Sequence, residues 1–330
     1  MSLWIPCMPI SRRRAVRKHF LSSVAFLLIL VVLLAALSLV FRPKNNTAEA
    51  RTQDVQADGI LGEPENTIDV LFLGNSEAYC SFIPMEIWKE HGITSYVCST
   101  PAQRMYQSVE YLRSVFRTQR PQIVVVMALA ICWDYSPVEV VTKMTGEWLP
   151  VVRYHDRWKS LQAEDFYKSP RYTHVEADKG YRLYRESRAA DTTEYMEPTD
   201  AVERLPSKNV RRLEIIHRLC QEHGAQLVLV SVPSTYNWNG RRHNAMTALA
   251  ESMGIAYLDL NCMQQEVPID WEMDTWDEGD HLNFTGAKKV TAFMGEWLED
   301  TGLFEDKRSQ EAYSQWNVFL QDYLASEASE

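Results

Sequence analysis

Between Phe20 and Phe41 the chain runs for 22 residues without a charged side chain. A helix of about 20 apolar residues spans the ~30 Å hydrocarbon core of a bilayer. Arg12, Arg13, Arg14, Arg17 and Lys18 stand just before the run, whereas only Arg42, Lys44 and Arg51 follow it closely. That asymmetry places the N-terminus in the cytoplasm and everything after Phe41 outside. A cleaved secretory peptide has a shorter apolar region, about 7–15 residues, with a small-x-small site close behind. Here the nearest such pattern, Ala48-Glu49-Ala50, lies well past the run. The spacing predicts a cytoplasmic basic tail over 1–19 and an uncleaved, single-pass signal anchor over 20–41, in the cell membrane.

The remaining chain has the composition of a folded protein. Its 330 residues allow one large domain with insertions, or two, and a hydrophobic share of 46% excludes global disorder. Net charge is −10, from 34 Lys+Arg against 44 Asp+Glu, and the basic residues cluster only at the N-terminus. No nucleic-acid partner is expected from such a balance. Residues 42–66 mix Pro, Asn, Thr, Gln, Asp, Glu and Gly without periodicity and read as a linker. Cys7 precedes the anchor, which leaves Cys80, Cys98, Cys132, Cys220 and Cys262 outside, an odd number without CxxC spacing. No metal or redox motif follows, and these cysteines read as small hydrophobes.

From Ile68 a regular alternation begins. Ile68 to Leu73 reads as a buried strand, Pro84 to Glu90 as a short helix, Tyr96-Val97-Cys98 as a strand, Gln103 to Thr118 as a helix and Gln122 to Leu129 as a β-branched strand. The rhythm stops over about 136–207, an interval rich in Tyr, Arg, Glu, Asp and Trp that reads as an inserted, lid-like or substrate-facing subdomain. It resumes with a helix over Asn209 to His223 ending at Gly224, a strand over Leu227 to Val232, a helix over Asn244 to Met253 ending at Gly254, a strand over Ile255 to Leu260 and a helix from Thr285 to Asp300. Continuous apolar strands alternating with helices predict a three-layer α/β domain around a parallel sheet, over 67–303. Residues 304–330 read as a C-terminal amphipathic helix carrying Tyr313, Trp316, Phe319, Leu320 and Tyr323.

Ligands of open parallel sheets bind beyond the carboxyl ends of the strands. The first strand ends in Gly74-Asn75-Ser76, which presents Ser76 at that edge; a serine there is also a common helix cap. Asp277-Glu278-Gly279-Asp280-His281 follows the last strand. A histidine with nearby carboxylates has the base and orienting acid of a Ser-His-acid system, and the bland reading is an acidic turn before a helix.

These two features resemble the SGNH hydrolase superfamily, the GDSL-type esterases. Gly74-Asn75-Ser76 is similar to its first block, in which Gly-Asp-Ser is commonest. His281 with its acidic run, Leu282-Asn283 and Gly286-Ala287 is similar to its last block, Asp-x-x-His. The resemblance covers about Ile68 to Leu303 without the insertion. It implies a flavodoxin-like sheet, Ser76 as nucleophile, His281 as general base and no cofactor. More narrowly, the tethered, outward-facing layout is similar to bacterial cell-envelope O-acylation proteins. That implies an acylated carbohydrate polymer or acyl donor as substrate and a membrane-bound O-acyltransferase as a partner.

The sequence departs from the family pattern at three places. The family's acid stands three residues before the histidine, where this chain has Glu278; Asp277 is four before and is favoured on a turn one residue longer, with Glu278 as competitor. The second block's glycine donor falls on Ser99 to Gln103, so the backbone N–H of Ala102 or Gln103, with that of Ser76, is the expected oxyanion hole. The third block, Gly-x-Asn-Asp, has no counterpart in Ala130-Ile131-Cys132-Trp133-Asp134. One missing oxyanion donor costs about 10²- to 10³-fold in rate.

Two functions from different classes stand: an O-acyl esterase or acyltransferase, and a non-catalytic module that binds polymer or assembles with a membrane acyltransferase. A soluble lipase is a weaker third choice, since no apolar lid is evident. Trp133, Tyr236 and Trp238 follow strands and could stack on a sugar or simply pack the core. His155-Asp156-Arg157-Trp158 and Lys179-Gly180-Tyr181 could read an anionic polymer or pack the insertion. His217, His223 and His243 read as surface residues. Asn45-Asn46-Thr47 and Asn283-Phe284-Thr285 match the N-glycosylation pattern, but a glycan at Asn283 would crowd His281, so an unmodified bacterial protein is expected.

Overall fold

The computed structural model describes residues 10–328, so Cys7 and the first residues of the basic tail lie outside the described residues. Helix α1 (Ile10–Phe41) is followed by the single turn α2 (Val55–Asp58). Then come β1 (Val70–Gly74), α3 (Ser76–Ser81), α4 (Pro84–His91), β2 (Ser95–Ser99), α5 (Met105–Val115) and β3 (Ile123–Met127). Helices α6 (Leu129–Cys132), α7 (Pro137–Trp148) and α8 (Pro150–Arg153) lead to α9 (Ser207–His223), β4 (Gln226–Ser231), α10 (Gly240–Met253), β5 (Ala256–Asp259), α11 (Phe284–Asp300) and α12 (Ser314–Ala328).

The five strands among the described residues are all parallel, in the order β2-β1-β3-β4-β5. This is the doubly wound, flavodoxin-like order, with its switch point between β1 and β3. Alternate side chains feed two cores. Leu71, Leu73, Val124, Val126 and Leu229 pack with Val109 and Leu112 of α5 and Leu213 and Ile216 of α9. Phe72, Val125, Val228 and Val230 pack with Ala78 of α3 and Val290 and Met294 of α11. Both faces of the sheet are covered, which is why each strand reads as an unbroken apolar run. Gly224 and Gly254 stop α9 and α10 in the left-handed conformation, at φ 73° and 63°. The result is a three-layer αβα domain.

The chain divides into two compact units, one of residues 1–44 and 136–171, the other of 45–135 and 172–330. In the larger unit, the segment expected to be a linker is packed from Asn45 onward. Asn46 is buried, and its amide donates to the Asp58 and His174 carbonyls at 3.0 and 2.8 Å. Ala57 and Ile60 are buried, and Glu63 pairs with Lys179 at 2.7 Å with both side chains 1% exposed. Isolated apolar residues held by buried polar partners leave no periodic trace in a sequence, hence the misreading. Lys179 also lies 4.5 Å from the Trp316 and Phe319 rings of α12, so it is a structural cation and not a polymer-reading one.

The expected insertion does not form one body. Residues 172–206 belong to the larger unit and carry no regular element, whereas 136–171 pack with α1. Within that smaller unit, α1 contains the segment Lys18–Phe41, long and apolar enough to cross a membrane and 6% buried. Arg157 is buried there, donating to the Phe41 carbonyl at 2.6 Å and pairing with Asp165 at 2.9 Å. It satisfies an orphan carbonyl at the end of α1, which corrects the polymer-recognition reading of Arg157.

Candidate active site

The site is built where β1 leaves the sheet. A side chain at Gly74 would collide with Met127 of β3, so glycine is required for the close approach. Asn75 then caps α3, its Oδ1 accepting the Glu77 N–H at 3.2 Å. Ser76 is the first residue of α3 and is 9% exposed.

The opposing wall is the loop before α11. Thr275 and Leu282 form an antiparallel bridge, and the Trp276 N–H donates to the His281 carbonyl at 3.3 Å. Between them Glu278 and Gly279 take left-handed φ values of 65° and 98°, which reverse the chain. Asp277 is thereby folded back onto His281. Its Oδ1 accepts the His281 backbone N–H at 2.7 Å, and its Oδ2 lies 2.6 Å from Nδ1. On the other side of the ring, Nε2 lies 2.7 Å from Ser76 Oγ. An ionised carboxylate can only accept, so Nδ1 carries the proton and Nε2 accepts from the serine hydroxyl. Glu278 points outward and is exposed. Asp280 approaches Nδ1 at 3.6 Å, accepts from the Asn237 amide, and has its carboxyl pushed up mainly by burial.

A buttress unforeseen in the sequence comes from residues 179–190. Arg182 N–H donates to the Tyr79 carbonyl of α3 at 2.9 Å, and Arg188 N–H to the Thr275 carbonyl at 2.8 Å. Phe284 N–H donates back to the Tyr184 carbonyl at 2.7 Å. Tyr184 stacks on Trp276 with ring centroids 4.4 Å apart, and Arg182 lies over the Tyr79 ring at 4.3 Å. Burial pushes the Tyr79 phenol up to about 12, opposed by Arg182 and by its hydrogen bond with Ser76. One strap thus braces both the serine helix and the histidine loop. Only a backbone path with few repeating side-chain features encodes it, so periodicity could not find it.

Glu77 is a second unforeseen residue. It is 2% exposed, and its Oε2 has no hydrogen-bond partner among the described residues. Burial first, then Asp280, drive its carboxyl well above the usual range, with Arg242 opposing.

Of the two amides expected to flank an oxyanion, that of Gln103 donates to the Thr100 carbonyl at 3.2 Å, and the Gln103 side chain is locked between Thr100 and Ser108 at 3.1 and 3.0 Å. Ala102 is exposed and left-handed, at φ 52°, a conformation that favours glycine. Among the aromatics, Tyr236 is 77% exposed and Trp133 is half-buried beneath Arg104. Trp238 is 2% exposed, and its indole N–H donates to Asp259 at 3.0 Å. It fills the core and has no face to offer a sugar, which corrects that expectation.

Among the described residues, two groups of donor side chains gather within 4.8 Å: Asp277, Asp280 and His281, and, separately, His243, Asp259 and Cys262. In each the histidine Nδ1 sits at hydrogen-bond distance from a carboxylate, 2.6 and 2.7 Å. Two ligands on a tetrahedral zinc stand about 3.3 Å apart. Both pairs are therefore read as hydrogen-bonded His–Asp pairs and not as metal ligands. His243 is half-buried, not a surface residue, and Asp259 raises its pKa. Cys262, expected as a small hydrophobe, is exposed; Cys80, Cys98, Cys132 and Cys220 are buried. Of the two sequon acceptors, Asn45 is half-buried with its amide donating to Thr173 Oγ1 at 2.9 Å, and Asn283 is buried with its amide donating to the Met273 carbonyl at 2.7 Å, so both amide groups are already engaged.

No protein-family model and no curated protein matches the sequence. Among solved structures the fold is similar to a GDSL-like lipase from Bacteroides thetaiotaomicron, at 12% identity and TM-score 0.36, over 71% of this chain and 88% of that one. It is also similar to an esterase from Pseudoalteromonas sp., at 9% identity and TM-score 0.39, over 71% and 97% of the chains. A lipase/acylhydrolase from Enterococcus faecalis gives 8% identity and TM-score 0.39, over 71% and 96%.

Proposed function

We propose that this chain is a membrane-anchored, extracytoplasmic serine O-acyl esterase or acyltransferase acting on envelope or extracellular polysaccharide. The observation that carries the reading is the continuous contact from Ser76 Oγ to His281 Nε2 at 2.7 Å and from Nδ1 to Asp277 at 2.6 Å. His281 Nε2 takes the serine proton as Oγ attacks the ester carbonyl. The backbone N–H groups of Ser76 and Ala102 hold the developing oxyanion, the Gln103 amide being engaged in a turn. Collapse expels the alcohol, which receives the proton from His281 and leaves an acyl-serine. Water, or a sugar hydroxyl, then gives its proton to His281 and takes the acyl group, which restores the enzyme. Asp277 holds the imidazole in the required tautomer and stabilises the imidazolium.

A membrane-impermeant fluorophosphonate tests the chemistry and the orientation together. Intact protoplasts carrying the wild-type chain should label, and Ser76→Ala should not. Labelling only after lysis contradicts the outward orientation. No labelling of the folded wild-type chain, before or after lysis, contradicts the enzyme and leaves the polymer-binding or assembly module.

A further inference from the structure

We infer that residues 136–171 form an interfacial platform that lies against the lipid headgroup region beside the end of α1. The inference rests on the reading of α1 as a membrane span. Its apolar run of 22 residues is ~33 Å long as a helix, so with one end at the cytoplasmic face the other, Phe41, sits at the outer boundary of the hydrocarbon. The smaller unit is fastened to that end. Arg157 donates to the Phe41 carbonyl at 2.6 Å, and the Val151 N–H to Ser38 Oγ at 3.3 Å. Whatever is bonded to Ser38 and Phe41 stands at headgroup depth.

The surface has the chemistry that depth requires. Val138, Val141 and Trp148 share one face of α7, since their offsets of three and ten residues fall within a narrow arc of a helix. With Trp158, Phe166 and Tyr167 they are 64–74% exposed. So many large exposed apolar side chains within one small unit are more than a surface bathed only in water usually carries. Trp and Tyr concentrate where hydrocarbon meets headgroups, and Trp148, Trp158 and Tyr167 are of that kind. Lys143 and Lys159 are exposed within the same unit, Lys168 being paired with Glu164 at 2.8 Å, and Lys159 lies over the Trp158 ring at 5.4 Å, an apolar body with a cationic tip suited to lipid phosphates. The sequence alone suggests a lid or substrate-facing insertion here, because it does not display the attachment of this interval to α1.

The test is nitroxide accessibility in the full chain, reconstituted at one copy per lipid nanodisc. Cys7→Ser removes the cysteine that precedes the described residues, and Cys262→Ser the exposed one of the fold. Labels are placed singly by Val141→Cys, Trp158→Cys and Phe166→Cys, with Leu28→Cys in α1 and Tyr236→Cys in water as references. Fluorophosphonate labelling of Ser76 reports on each variant's fold and separates failure of the catalytic reading. The platform labels should collide with oxygen more, and with a water-soluble nickel chelate several-fold less, than the Tyr236 label. Nickel collision equal to that at Tyr236, with Leu28 still protected, overturns the platform alone. Leu28 as accessible as Tyr236 overturns the anchor on which it rests. Protection that arises only at two copies per disc assigns the surface to a second copy and overturns the lipid occupant.

Discussion

At the residue scale, two backbone angles select the carboxylate that reaches His281. The left-handed pair Glu278 and Gly279 turns Asp277 inward and leaves Glu278 exposed, although Glu278 occupies the spacing usual in the family this chain resembles. Asp277→Asn should lower turnover about 10⁴-fold, as neutralising a triad acid does, and Glu278→Gln should leave it within about twofold. Steady-state rates on an acetylated sugar check both; the reverse ranking assigns the role to Glu278. Glu77 makes a different prediction. Its carboxyl is raised by burial, so the folded state holds a proton that the unfolded chain releases above about pH 4.3. Stability then falls as pH rises from that value through the folded-state pKa, by at most about 1.4 kcal/mol per pH unit. Glu77→Gln removes this penalty, and its stability relative to wild type, read from denaturant melts, should grow with pH across that window. A difference that is constant with pH contradicts the burial argument. Ser76 could be nominated from sequence because it follows the end of β1, and His281 with the favoured acid because they gather in the acidic run just before α11. Glu77 could not, since a glutamate next to a serine carries no sign of its burial.

At the scale of elements, the strands and long helices were legible because burial imposes a period on side chains. Leu71 and Leu73 face one core while Phe72 faces the other, and the resulting apolar run is visible without coordinates. The strap over 179–190 was not, because it is held by backbone hydrogen bonds to Tyr79, Thr275 and Phe284, and any sequence can make those. The packed segment from Asn46 to Glu63 escaped for the same reason, its anchors being buried polar side chains such as Asn46 and Glu63. The strap's task is to hold the histidine loop against the serine helix, and Tyr184 stacked on Trp276 is its main side-chain grip. Tyr184→Ala loses a stack worth about 0.5–1.5 kcal/mol, a small fraction of domain stability. It should nonetheless lower turnover about 10- to 100-fold, because displacements near 1 Å carry costs of that order in positioned chemistry. Unchanged turnover in a folded Tyr184→Ala chain contradicts the bracing role.

At the scale of the whole molecule, 205 residues of sequence separate Ser76 from His281, and a parallel sheet brings them within hydrogen-bond reach. β1 delivers Ser76 at the switch point of the sheet, and the loop into α11 delivers His281 to the same carboxyl edge. The order β2-β1-β3-β4-β5 makes that meeting a consequence of topology, and the β/α alternation was enough to anticipate it. The division of 136–207 between two units was beyond reach, since nothing near Arg171 and Tyr172 marks a change of partner. The central claim is that Ser76 and His281 act as one catalytic unit, and a double-mutant cycle on hydrolysis of an acetylated sugar tests it most directly. Removing either member of such a unit abolishes the same step, so their losses do not multiply. Ser76→Ala, His281→Ala and the double variant, each folded by circular dichroism, should retain nearly equal residual activity. Losses that multiply in the double variant, or a folded Ser76→Ala chain that keeps its activity, would contradict the account.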